Sequence, residues 1–162
     1  AIFYVTWSPI LAAVGVYLII KDGEGFRRYM WTLMFTFLAS TLICILIPNG
    51  QDLRPAVMAH DNIFTKAVLY TYSIDTNTNV LPSVHVLGVM AAVFAIWHTP
   101  GMKTAIWRIA SLLWAVLVIA STLLIKQHAF IDIVAALIVG AVGYVVVYVW
   151  IGRRRDRKKT TS

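Results

Sequence analysis

Five apolar runs decide what this chain can fold into. They cover roughly residues 1–20, 29–47, 84–97, 109–125 and 129–151. All but the third approach the length of about 20 residues that carries a helix across a bilayer. The third is short and is expected to borrow residues from its flanks. A segment in lipid has no water to satisfy its backbone, so it must close its hydrogen bonds within itself. The runs therefore predict an all-α, polytopic transmembrane helix bundle with five spans. Composition agrees, since 60% of the 162 residues are hydrophobic and 13% are charged, about half the charged share of a soluble domain. Pro9 is expected to kink the first span, which neighbouring membrane helices tolerate.

Charge orients the bundle. The polar segments 21–28, 98–108 and the tail after residue 151 share one face and hold 11 of the 14 Lys and Arg residues. The loop 48–82 and the turn 126–128 share the other face, which holds Arg54, Lys66 and Lys126. The positive-inside rule places the first face in the cytoplasm and the second outside it. The chain divides into a membrane-embedded domain, residues 1–151, and a basic cytoplasmic tail, residues 152–162. The tail's "RRRDRKK" reads as a topology anchor or an anionic-lipid contact, so the bilayer is the expected partner and nucleic acid is not. Trp31, Trp97, Trp107 and Trp150 are expected as interface anchors at the cytoplasmic ends of their spans. Ala136 and Gly140 have the spacing of close helix packing. Cys44 is the single cysteine, builds no disulfide, and reads as a small buried hydrophobe. The loop 48–82 is long for a compact helical protein. Within it "DNIFTKAVLYTY", residues 61–72, opens on a capping aspartate and predicts a short interfacial helix.

Three polar clusters remain, and the sidedness brings all three to the non-cytoplasmic face. They are Arg54-Pro55 in the loop, Ser83-x-His85 opening the third span, and Lys126-x-His128-x-x-x-Asp132 opening the last. Taken singly, Arg54 serves as a headgroup anchor and His85 as a cap-region residue. Asp132 resists so plain a role, because a carboxylate one turn inside a span is expensive and usually functional. His128 and Asp132, four apart, share one helical face and can pair. His98, at the cytoplasmic end, and His60, without a partner at a telling spacing, do not join them.

These residue types specify a chemistry. A carboxylate on one imidazole nitrogen fixes the tautomer and leaves the other nitrogen bare, as nucleophile or base. A second histidine in the same pocket can protonate a leaving group. Arginine offers a planar fork of donors to phosphate oxygens, and the helix start after Ser83 presents unpaired N–H groups to an anion. Together they point to phosphoryl transfer through a phosphohistidine, without a metal or other cofactor. Two other readings use the same residues. One is a metalloenzyme with His85, His128 and Asp132 as ligands, sensitive to chelators. The other is a non-catalytic lipid-binding relative.

At these residues the sequence resembles the type 2 phosphatidic acid phosphatase superfamily of membrane lipid phosphatases and phosphotransferases. The family signatures KxxxxxxRP, PSGH and SRxxxxxHxxxD read here as "IPNGQDLRP", "PSVH" and "STLLIKQHAFID". The approach "DTNTNVLPS" is similar to a bacterial branch that also resembles inositol phosphorylceramide synthases. The resemblance implies that His128 attacks phosphorus, Asp132 orients it, and His85 protonates the leaving oxygen. It implies that Arg54 and Ser83 hold the phosphoryl oxygens of a lipid phosphate or diphosphate. The expected activity is hydrolysis, or transfer of a head group by the same residues, in a bacterial plasma membrane. Three positions depart from the pattern: Ile47 stands for the lysine, Val84 for the glycine and Thr122 for the second arginine. Lys126 is expected to replace a missing charge if the helix continues to it, with Lys66 a weaker candidate. The family fold has six spans, and the first is expected ahead of Ala1.

Overall fold

Each apolar run closes its backbone as helix. Among the described residues the one β-type pairing is an isolated bridge between Gly50 and Thr78. The computed structural model describes residues 2–152, and most of the predicted basic tail lies outside the described residues. The first span consists of α1 (Ile2–Val5) and α2 (Trp7–Lys21). The helix is interrupted at Thr6, and Pro9 has no N–H to offer the Val5 carbonyl there. α3 (Gly23–Leu46), α6 (Ala105–Leu124) and α7 (Phe130–Tyr144) follow the first span in being long and apolar enough to cross a membrane, α7 with its π-helical continuation Val145–Ile151. α4 (Ile63–Ile74) is the helix predicted in the long loop. It starts one residue later than a cap at Asp61 would give, because Asn62 caps it. The Asn62 Oδ1 accepts the N–H groups of Phe64 and Thr65, each at 3.0 Å.

α5 (Val84–His98) does not lengthen itself from its flanks. Its 15 residues reach about 22 Å at 1.5 Å per residue, short of the roughly 30 Å hydrocarbon core. The third expected span is thus a shorter apolar helix, tolerated here because α5 is the axis of the bundle. α2, α3, α6 and α7 all pack against it, and Val86, Leu87, Val89, Ala91 and Ala92 are wholly buried. Irregular backbone at membrane depth survives only where protein covers it. The segment entering α5 is covered by α3 and the residues just after it: Ser40 Oγ donates to the Pro82 carbonyl at 3.2 Å and Cys44 Sγ to the Leu81 carbonyl at 3.3 Å. Asn49 accepts the Leu81 N–H at 2.9 Å and donates to its carbonyl at 3.2 Å. Cys44 is thus a half-buried support for the loop rather than a plain hydrophobe.

The outer helices present apolar side chains outward, and α3 turns its small polar residues inward. Leu38, Leu42, Leu113 and Ile138 are exposed, while Thr32, Thr36 and Ser40 on α3 are buried. The predicted small-residue contact of α7 is present, with Ala136 wholly buried. A Cβ added at Gly140 would lie 2.4 Å from Met90 Sδ on α5. Trp97 departs from its expected anchoring role, since its indole N–H donates to Ser111 Oγ on α6 at 3.0 Å.

Candidate active site

The starts of α5 and α7 meet at one end of the bundle. Ser83 caps α5, and its backbone N–H donates to the Asp132 carbonyl in the first turn of α7 at 3.2 Å. That link brings His85 and His128 face to face, with His85 Nδ1 3.2 Å from His128 Nε2. Both rings are 4% exposed.

His128 does pair with Asp132, but not across a helical face. α7 begins at Phe130, so His128 precedes the helix. Its position comes from the turn, where the N–H groups of Gln127 and His128 both point at the Thr122 carbonyl, at 3.0 and 3.3 Å. Asp132, in the first turn of α7, folds back on the chain. Its Oδ2 accepts the Ala129 N–H at 2.8 Å and lies 3.3 Å from His128 Nδ1. The helix start stabilises the buried carboxylate. The carboxylate in turn holds a proton on Nδ1 and leaves Nε2, the nitrogen facing His85, as the bare one.

Arg54 reaches the same cluster from the loop. Its guanidinium lies over the Tyr72 ring, 4.3 Å from the centroid. Nη1 donates to the Tyr72 carbonyl at 3.2 Å, and Nη2 to the Asp75 carbonyl at 2.5 Å and Gln127 Oε1 at 2.7 Å. The first two acceptors belong to the C-terminal end of α4, the negative end of its dipole. Arg54 thereby fastens α4 to the histidine cluster. Its Nε is buried without a partner, and a buried donor left unpaired is costly unless something arrives to accept from it. Tyr72 is held from its other end, where its hydroxyl donates to the Ile125 carbonyl at 2.5 Å. Burial pushes that hydroxyl above the usual phenol range, with Arg54 pulling the other way. Ser83 Oγ is only weakly engaged, 3.5 Å from the Val86 N–H it caps.

The candidate replacement cations do not join. α6 ends at Leu124, and Lys126 sits in the left-handed region with φ 55°. The helix expected to carry it does not continue. Its exposed side chain lines a cavity of about 610 Å³ with Leu53, Met58, Phe64, Val68 and Tyr72. Lys66 pairs with Asp61 at 3.4 Å on the surface. Ile47 is exposed at the end of α3, and the Thr122 hydroxyl turns back onto the Ile119 carbonyl at 2.8 Å. Among the described residues, Arg54 is the one Lys or Arg side chain hydrogen-bonded into the cluster. His98 lies at the far end of α5, bonded to Phe94 and Tyr144, and His60 is an exposed loop residue.

Four residues that sequence reasoning passed over complete the surroundings. Asp75 follows α4 and places Oδ2 3.6 Å from His85 Nε2. The Tyr4 hydroxyl donates to the same Oδ2. The rings of Tyr4 and Trp7 flank the His85 ring, each with its centroid 4.6 Å away. Gln127, buried beside His128, donates to the Thr76 carbonyl at 3.0 Å while accepting from Arg54. Each imidazole thus has a carboxylate at its outer nitrogen and faces the other ring with its inner one. That layout denies the metal reading its third ligand, because Asp132 stands behind His128 rather than beside the two inner nitrogens. Among the described residues, no group of three His, Cys, Asp or Glu side chains is placed to hold a metal ion.

A helical bundle with four helices long and apolar enough to span a bilayer is an integral membrane protein. Its family comes from the sequence. Residues 28–156 match the PAP2 superfamily, and the chain belongs to that superfamily. Members are usually phosphatases or phosphotransferases, which makes this protein an enzyme of that broad type. The match does not reach the narrower branch similar to inositol phosphorylceramide synthases. Neither the curated proteins nor the solved structures contain a match to the chain.

Proposed function

We propose that the protein cleaves the phosphate ester or diphosphate bond of a membrane lipid through a phosphohistidine on His128. One observation carries this reading: the bare Nε2 of His128 faces Nδ1 of His85 at 3.2 Å, with a carboxylate behind each ring. In the first half-reaction the Nε2 lone pair attacks phosphorus. The bond from phosphorus to the lipid oxygen breaks with its electron pair on oxygen. The proton on His85 Nδ1 passes to that oxygen, and the lipid alcohol or phosphate leaves. In the second half, water attacks the phosphohistidine and gives its proton to the now neutral His85. The phosphorus–nitrogen bond returns its pair to Nε2. An alcohol in place of water turns hydrolysis into head-group transfer with the same residues. Arg54 Nε, Ser83 Oγ and the free N–H groups opening α5 hold the phosphoryl oxygens.

A lipid substrate is supported by the surroundings. α4 exposes Ile63, Phe64, Leu69 and Tyr70, as a helix lying at the headgroup level does. The apolar cavity beside it shares Tyr72 as a wall with the arginine site. The charge distribution of the sequence supports a site on the non-cytoplasmic face, in a membrane domain of residues 1–151 followed by a cytoplasmic tail.

The test is to incubate the protein in detergent micelles with ³²P-labelled phosphatidate, phosphatidylglycerol phosphate and polyprenyl diphosphate, and to quench. Phosphate release and an acid-labile, alkali-stable label that His128→Ala abolishes are expected. A label that survives His128→Ala would refute the nucleophile, and no turnover or label with any of these would favour a non-catalytic relative.

A further inference from the structure

Asp132 and Asp75 stand in mirrored relation to the two histidines, and only Asp132 has so far been given a task. Counting protons across the row shows what Asp75 does. With His128 Nδ1 protonated toward Asp132, as the 3.3 Å contact favours, His128 Nε2 is left bare to accept from His85 Nδ1 at 3.2 Å. A neutral His85 would then present a bare Nε2 to the Asp75 carboxylate, two acceptors facing each other. An imidazolium presents an N–H instead, and the ring then faces the Asp75 carboxylate with the opposite charge. The imidazolium is the form a general acid must pass through, and this deep in the protein it requires an anionic partner. Asp75 is that partner, at 3.6 Å, an ion-pair distance longer than a hydrogen bond. The charged and titratable groups around His85 are His128 from the turn before α7, Tyr4 from α1 and Asp75 from the end of α4, with Arg54 bonded to the Asp75 carbonyl.

We propose that Asp75 is the positioning residue of the general acid. It holds the proton on His85 Nε2, and Tyr4 fixes its carboxylate, so that His85 Nδ1 carries the proton delivered to the leaving oxygen. The inference rests on the proposed phosphohistidine reaction and deepens it. The role has a structural consequence too. Asp75 presents its carboxylate to the acid and its carbonyl to Arg54, so the C-terminal end of the interfacial helix fixes both the proton donor and the phosphate cation.

The experiment follows phosphohistidine formation with a series of aryl phosphates of graded leaving-group acidity, in micelles, for the parent, Asp75→Asn and Tyr4→Phe. Asparagine keeps the size of the side chain and can still accept from Tyr4. The backbone bond that ends α4, from the Asp75 N–H to the Thr71 carbonyl, does not use the side chain. General-acid help contributes typically about 10²–10⁴-fold where the leaving oxygen needs a proton. Asp75→Asn is therefore expected to slow the poorest leaving group by about 10-fold or more and the best by less than about 3-fold, giving a steeper dependence on leaving-group acidity. Tyr4→Phe should shift the dependence in the same direction by less. An equal loss at every leaving group, or no loss, in both variants would overturn the role. Should the parent form no phosphohistidine on His128, the underlying reaction fails instead, and the two failures are told apart by that control.

Discussion

Exchanging Arg54 for lysine separates charge from geometry at the centre of the site. The substitution keeps one positive charge, but it removes a planar fork that meets three acceptors at once: the carbonyls of Tyr72 and Asp75 and the Gln127 side chain. It also removes the ring stacking on Tyr72 at 4.3 Å and the unpaired Nε. A lysine ammonium has three donors on a flexible stem and no plane, so it meets one of these acceptors well and leaves two short. Hydrogen bonds to a charged group contribute about 1.5–3 kcal/mol each. Two lost bonds thus amount to about 3–6 kcal/mol at full burial, and Arg54 is only half-buried, which argues for the lower end. The C-terminal end of α4 should loosen, and thermal unfolding in micelles should fall. Catalysis should fall further on the proposed reading, because the unpaired Nε assigned there to a phosphoryl oxygen is gone; removal of one such preorganised donor costs about 10²–10³-fold in rate. Arg54→Lys should therefore form phosphohistidine at least about 100-fold more slowly than the parent, and methylguanidinium should partly restore an Arg54→Ala protein. Labelling of the lysine variant within a few-fold of the parent would refute the guanidinium's role, whatever its stability.

Lys126→Ala should leave phosphohistidine formation within about 3-fold of the parent, because its exposed side chain lines the neighbouring cavity; a 100-fold loss would return it to the phosphate site. Gln127→Leu strips Arg54 of one acceptor and leaves the Thr76 carbonyl unpaired. A stability loss of about 1–3 kcal/mol, read from unfolding in micelles, should accompany slower labelling. Turnover should survive excess EDTA; loss with chelator and recovery with zinc would revive the metal reading.

The legible residues were those out of keeping with their surroundings. A histidine or carboxylate at the mouth of an apolar run stands out because burial there is expensive, and His85, His128 and Asp132 were found on that ground. Arg54 and Ser83 followed from sidedness and from the helix start. Asp75 and Gln127 lie in polar segments, where a polar residue carries no signal until the fold brings it to a partner. Tyr4 and Trp7 were hidden for the opposite reason. An aromatic residue in an apolar run reads equally as lipid-facing or site-facing, and only the packing of α1 and α2 against His85 decides. The pairing of His128 with Asp132 was correct for a reason that failed. A spacing of four suits a helix, yet a turn hung from the Thr122 carbonyl achieves the same contact.

The missing cations, set against this geometry, bear on the acid itself. The two family positions that should be basic, Ile47 and Thr122, contribute no charge, and Lys126 does not point one into the cluster. In the proposed reaction a phosphate dianion entering between the histidines would therefore meet one guanidinium and two carboxylates, Asp132 and Asp75. The helix start compensates Asp132 through the Ala129 N–H, and Arg54 bonds to the carbonyl of Asp75 rather than to its carboxylate. With His85 neutral, Asp75 would repel the substrate from across the ring. With His85 as imidazolium, Asp75 is neutralised and the ring's inner N–H points at the incoming oxygen. In a site this poor in fixed cations, the proposed reaction would use the proton on His85 first as counter-charge for binding and then as the proton delivered in cleavage.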